Sequence, residues 1–407
     1  MSFSDKGTGF TPHLKRETMA QQQVIKILYF IPNLGTGGTE RLVVDLCKKL
    51  DPTRFDAQVC VMKSGALDLE LKSVNKEVSV ITDSNRTNLV SSGIVNKVFN
   101  FIKFNCRLKR LLERNKIHIL HTHHLGPLFY AGFLPLRRRF NVKWVHTEHI
   151  RPDMEKAYSP RMVRLCQPFI RQADIVSGVS EAVGAYFRDV SHVPSERVVP
   201  ILNGVNVQAF SGVTCREEKR NELGYGSDVI IIGTIGNLRK QKNHQNLLRA
   251  FARVCNDLPA LRLVLCGDGE CRGELEQLAT ELGISPKVRF LGHRLDAPDI
   301  MSTFDVYCLP SFYEGMPLSI MEAWAAGKPV IATDVLGIAE LVTHGVDGHL
   351  VPSDDSQSLA DGIRDIVQNG QLREKLAENG NKFAIEQCGI DAMVKRYEAL
   401  YLRVMEC

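Results

Sequence analysis

Short apolar runs rich in β-branched residues alternate with amphipathic segments along the whole chain, and the alternation occurs twice. A run of this kind followed by a helix-period segment is the pattern of a parallel sheet wrapped by helices. In the first half it predicts strands at 24–31, 57–62, 117–122, 143–147 and 175–179, each ending at a polar or Gly-rich loop. Asn203-Gly204-Val205-Asn206 then supplies turn formers suited to a hinge. A second set follows at 229–234, 262–266, 288–291, 306–309 and 329–332. With 407 residues, 44% of them hydrophobic, the chain is long enough for two full cores. The expected organisation is a flexible polar tail over 1–23, an α/β unit over 24–203, a second over 204–385 and a terminal helical segment over 386–407.

The two halves differ in charge. Residues 1–203 hold 30 Lys and Arg against 18 Asp and Glu, a balance of +12, whereas residues 204–407 hold 21 against 28, a balance of −7. The first half should therefore face an anionic surface or substrate. Its cations concentrate in 97–116, in Arg137-Arg138-Arg139, and in Arg161, Arg164 and Arg171. Phe99, Ile102, Phe104, Leu108 and Leu111 interleave the first of these. That segment reads either as a core-packed helix with a solvated face or as one lying on an anionic bilayer.

The net charge of +5 argues against a nucleic-acid partner. No apolar run approaches the roughly 20 residues of a membrane-spanning helix. The polar N-terminus lacks the apolar core of a signal peptide, and Met19 would serve as an alternative start. Eleven scattered cysteines without a C-x-x-C pair suit a reducing compartment and no structural metal. The expected location is the cytoplasm, with peripheral contact at the inner face of the membrane as an option.

Three loops invite phosphate or sugar. The first strand runs into Pro32-Asn33-Leu34-Gly35-Thr36-Gly37-Gly38, where backbone N–H groups at a helix start would approach an anion. The loop is not G-x-G-x-x-G, and 61–64 offers no acid for an adenosine ribose, so a dinucleotide site is disfavoured. A tight strand-to-helix turn is the other reading. In the second half, Gly236-Asn237-Leu238-Arg239-Lys240-Gln241-Lys242-Asn243 places three cations in four positions at a strand's carboxyl end. They would hold a diphosphate, or simply be solvated. In 310–327, Pro317 suits a first helical turn and Gly327 a C-terminal cap, which predicts a helix over 317–326. Glu314 precedes that helix. Glu322 lies within it among Ile320, Met321, Ala323 and Trp324, an apolar setting that asks for a partner such as a ribose diol. The N–H groups of Gly315, Met316, Pro317 and Leu318 would point at phosphate or sugar oxygens.

These residues resemble the retaining glycosyltransferases of family 4. The resemblance runs from about 26 to 401. It rests on Gly37-Gly38-Thr39-Glu40-Arg41, 173–181, Asn203-Gly204-Val205-Asn206, Gly267-Asp268-Gly269-Glu270, 310–315 and 322–330. Glu314 and Glu322 are separated by seven residues, the family's E-x7-E pattern. The resemblance implies an α/β GT-B fold of two facing Rossmann-like domains with an interdomain cleft. The first domain would bind the acceptor and the second the nucleotide-sugar, with the last helix packing back on the first. It also implies that Lys242 binds the donor diphosphate, Glu322 the ribose and Glu314 the transferred hexose. His149 falls where the family places a histidine beside the sugar, with His146 as its competitor; His121, His123 and His124 are left as structural or acceptor-side. Asn237 stands where the family usually has Arg, and Arg239 would carry that charge instead. Leu336-Gly337 replaces the family's paired glycines, leaving Glu340 as a structural carboxylate.

The implied activity is metal-independent transfer of a hexose, with retention, from a UDP- or GDP-sugar to a glycan or lipid-linked acceptor in polysaccharide or glycolipid biosynthesis, with no cofactor. Lys242, Arg239 and the helix start at 315–318 would stabilise the departing diphosphate. Rival readings are a GT-B sugar-nucleotide epimerase or phosphorylase, a non-catalytic nucleotide-sugar-binding protein and, weakest, an oxidoreductase.

Overall fold

The computed structural model describes residues 23–35, 37–81, 94–154, 158–213 and 215–406. All but the last residue of the expected tail over 1–23, and Thr36 of the first Gly-rich loop, lie outside the described residues.

The strands are β1 (Ile25–Asn33), β2 (Phe55–Lys63), β3 (Val78–Val80), β4 (Ile119–His123), β5 (Lys143–Glu148) and β6 (Ile175–Gly178), then β7 (Ile230–Ile235), β8 (Leu261–Cys266), β9 (Val288–Gly292), β10 (Val306–Leu309), β11 (Val330–Thr333) and β12 (His349–Val351). They form two parallel six-stranded sheets, ordered β3-β2-β1-β4-β5-β6 and β12-β11-β10-β7-β8-β9. Counted from β7, the second sheet repeats the order of the first. All ten expected strands are present with small shifts at their ends. β3 and β12 were not expected. Each is a three-residue edge strand with little buried surface, too short to leave a period in the sequence.

Both faces of each sheet are covered, which is why the strands read as continuous apolar runs. β1 sends Ile27, Tyr29 and Ile31 into one core and Leu28 and Phe30 into the other, all fully buried. Helix Ile390–Glu406 lies against the first of these cores, burying Met393, Tyr397, Leu400, Tyr401 and Val404 there. Helix Ile94–Asn115 buries Phe104, Leu108 and Leu112 in the other, but leaves Phe99 (65% exposed) and Ile102 (54%) in solvent. The side chains of Lys97, Arg137 and Arg138 are outside the described residues. The ten described cysteines are free thiols. Among the described residues no helix is long and apolar enough to cross a membrane.

Candidate active site

Each sheet has one switch point, between β1 and β4 and between β7 and β10, where the chain leaves adjacent strands in opposite directions and opens a crevice at their carboxyl ends. The Gly-rich loop and His124 follow β1 and β4; the cationic loop and 310–317 follow β7 and β10. The two crevices face each other. A Cβ on Gly38 would lie 3.3 Å from Leu318 Cδ1, and a Cβ on Gly315 would come within 1.6 Å of the His149 carbonyl oxygen. Gly37 caps helix Gly38–Lys49, so the N-terminus of that helix opens opposite the start of helix Leu318–Ala325.

Within the second half the two loops are bonded together. Phe312 N donates to Gln241 O (2.9 Å) and Gln241 Nε2 donates to Tyr313 O (2.9 Å). Lys242 Nζ and Ser311 Oγ both donate to Glu314 Oε1, each at 2.6 Å, so this mostly buried carboxylate is already paired. Glu322 is different: it is half-buried, and its carboxylate has no hydrogen-bond or ion-pair partner among the described residues. Burial pushes it up to about 7; Arg41 pulls it down, Asp45 adds to the rise and Lys242 opposes it. Arg41 is itself clamped by Asp45 and Glu70, at 3.0 Å to each. Its part in the site escaped the sequence reading because Arg41 and Glu322 are 281 positions apart.

The helix expected over 317–326 runs over Leu318–Ala325, with Gly327 left-handed (φ +67) just past its end. One expectation fails on elementary chemistry: Pro317 has no backbone N–H, so of the four residues at 315–318 only Gly315, Met316 and Leu318 can donate. Met316 O is occupied, accepting from Asn203 Nδ2 at 3.4 Å. Asn237 is half-buried, and Arg239 is exposed with no ion-pair partner among the described residues.

The two histidines that competed in sequence separate in space. His146 is fully buried in the first half, its Nδ1 3.1 Å from both Thr122 Oγ1 and Thr122 O. His149, just beyond β5, is half-buried at the cleft. His124 holds a left-handed backbone (φ +69), fixed by Glu148 Oε1 (3.2 Å), Tyr158 OH (3.0 Å) and Thr39 Oγ1 (3.1 Å). Glu340, expected as a structural carboxylate, spans the cleft rim. It accepts from Ser180 Oγ (3.3 Å) and Ala182 N (3.0 Å) at the start of helix Glu181–Ala185. No sequence spacing signals that contact.

Two facing parallel sheets with chemistry at both switch points define the GT-B architecture, and solved structures agree. The chain superposes on Anabaena HepE in complex with UDP-glucose with a TM-score of 0.80, at 24% identity over 93% of this chain and 99% of that one. The model for glycosyl transferases group 1 matches residues 215–383, and that for glycosyltransferase family 4 matches 36–209. A D-inositol 3-phosphate glycosyltransferase of Corynebacterium jeikeium is 32% identical over 66% of this chain and 70% of its own. The lipopolysaccharide core biosynthesis glycosyltransferase LpsE of Rhizobium meliloti is 30% identical over 61% and 75%. The chain belongs to family 4 of the glycosyltransferases and is therefore a transferase, with a lipopolysaccharide core biosynthesis enzyme among its relatives.

Proposed function

We propose that the protein transfers a hexose, with retention, from a UDP- or GDP-sugar to a glycan or lipid-linked acceptor. The observation that carries this reading is the convergence of Lys242, Glu314 and a Glu322 with no partner among the described residues on one crevice facing His149 and Gly38. Lys242, with Arg239 at the rim, offers positive charge for the diphosphate. The N–H groups of Gly315, Met316 and Leu318 add donors at a helix start. Glu322 would accept both ribose hydroxyls, and Glu314 and His149 would orient the hexose. Gly37 and Gly38 let the opposing helix end come close. The binding of UDP-glucose by HepE supports a nucleotide-sugar donor.

In this mechanism the bond from the anomeric carbon to the phosphate oxygen breaks as the acceptor oxygen bonds the same face. The leaving phosphate oxygen takes the acceptor's proton, with no side-chain nucleophile and no metal in the step. A screen of UDP-, GDP- and ADP-sugars by thermal shift and hydrolysis tests the donor, and the anomeric configuration of the product tests retention. Lys242→Ala should abolish donor binding; unchanged affinity, or an inverted product, removes the reading.

The acceptor side would sit at an anionic membrane surface, since Phe99, Ile102, Phe133 and Leu165 are exposed in a half of net charge +12. Flotation with anionic but not neutral vesicles is the expected result.

A further inference from the structure

Behind His149 stands a second histidine with no role in the reading above. β4 is buried throughout, and its residues His121 and His123, two apart, project from the same face with ring centroids 4.2 Å apart. His121 is fully satisfied, by Tyr401 OH at Nδ1 (2.8 Å) and Thr147 Oγ1 at Nε2 (2.8 Å). His123 is not. Its Nδ1 lies 2.9 Å from His149 Nε2, while its own Nε2 is buried with no partner among the described residues. Its ring stacks on that of His149, 5.2 Å between centroids with a 26° interplanar angle.

Their surroundings favour the neutral form of both rings. Burial holds His123 and His149 well below the ordinary imidazole range, and the neighbouring histidines reinforce this in each case. Between two neutral imidazoles a single proton lies on the shared line, so one ring donates and the other accepts. The orphaned nitrogen of His123 decides the direction. A buried N–H without an acceptor is rarer and costlier than a bare lone pair, so the proton of His123 belongs on Nδ1 and not on Nε2. His123 then donates to His149 Nε2. His149, having one proton of its own, must carry it on Nδ1, the nitrogen with no partner among the described residues.

We infer that His123 is a positioning residue that fixes His149 as the Nδ1–H tautomer, making it a hydrogen-bond donor, never an acceptor, toward a sugar hydroxyl or ring oxygen in the cleft. The assignment of the sugar as the recipient rests on the proposed role of His149; the tautomer does not. The class of group recognised follows: an oxygen with a free lone pair held beside the ring.

Asparagine separates positioning from packing, because its side-chain nitrogen overlays imidazole Nδ1 and can donate to the same atom. Leucine fills the space and donates nothing. With protein labelled with 15N-histidine, two-bond nitrogen–proton correlation spectra of the wild-type protein and of His123→Asn should show His149 with its proton on Nδ1. His123→Leu should show Nε2–H or a mixture. Turnover with the donor found in the screen should fall about 10–100-fold in His123→Leu, the scale seen when groups that orient metal-bound imidazoles are removed. Donor KM should stay within about twofold, and His123→Asn should recover most of the loss. An Nε2–H tautomer in the wild type overturns the inference. So does equal loss in both variants with an unchanged tautomer, which would mark a packing role. His149→Ala with full activity would instead remove the role of His149, leaving the tautomer result standing.

Discussion

Glu322 is asked to be two things at once. Binding a ribose diol requires the ionised carboxylate as a double acceptor, yet burial favours the protonated form and pushes the group up to about 7. Donor affinity should therefore rise between about pH 6 and pH 8 as Glu322 ionises, as read by titration calorimetry. For stability the sign is opposite. The folded-state value lies above the ordinary 4.5, so this group's stabilising contribution is complete below about 4.5 and is lost as pH rises through about 7. Glu322→Gln should accordingly melt a few degrees higher than the wild type at pH 8 while binding the donor at least tenfold more weakly. Gly315 makes a second residue-scale case. A methyl there would meet the His149 carbonyl oxygen at 1.6 Å, a backbone atom that cannot turn aside. Because the clash lies between the halves, Gly315→Ala should fold with a nearly unchanged melting temperature and lose on the order of 100-fold in turnover, the cost of an ångström-scale misplacement. A melting temperature that collapses with the activity would assign Gly315 to folding instead.

At the scale of elements, helix Ile390–Glu406 is held to the first sheet by two tyrosines of unequal worth. The Tyr401 hydroxyl bonds both Tyr29 OH (2.8 Å) and His121 Nδ1 (2.8 Å). The Tyr397 hydroxyl faces Thr147 and Ser177 but has no partner at hydrogen-bond geometry among the described residues. Tyr401→Phe should thus cost about 1–3 kcal/mol by leaving buried groups unpaired, whereas Tyr397→Phe should be neutral or slightly stabilising, both measured by urea unfolding. The helix was legible from its period in 390–405, and the ten longer strands from their predominantly apolar, β-branched runs. β3 and β12 were not, because a three-residue edge strand owes its existence to the neighbour it pairs with. The helix after Glu314 was legible from Pro317 and Gly327, yet the same proline removed one of the donors expected there.

Across the whole molecule, the contact of Glu340 with Ser180 and Ala182 ties the rim of one sheet to that of the other. Glu340 is exposed, so the tie adds little to stability and acts on the spacing of the halves. Glu340→Ala should leave the melting temperature within about 2 °C but enlarge the radius of gyration of the free protein in small-angle scattering, with saturating donor restoring the wild-type value. An unchanged free-state profile would show that other contacts close the cleft. By itself the sequence determined that there are two parallel sheets and which loops carry glycine, cation and carboxylate. Both follow from local causes: a doubly covered strand is apolar over most of its length, and a turn that admits an anion favours glycine. The tertiary structure alone decided that His149 and not its competitor His146 reaches the cleft, that His123 stands behind it, and that Arg41 comes near Glu322. Those relations join residues on different strands and on opposite sheets, and only the order of the strands and the facing of the two switch points brings them within reach of one another.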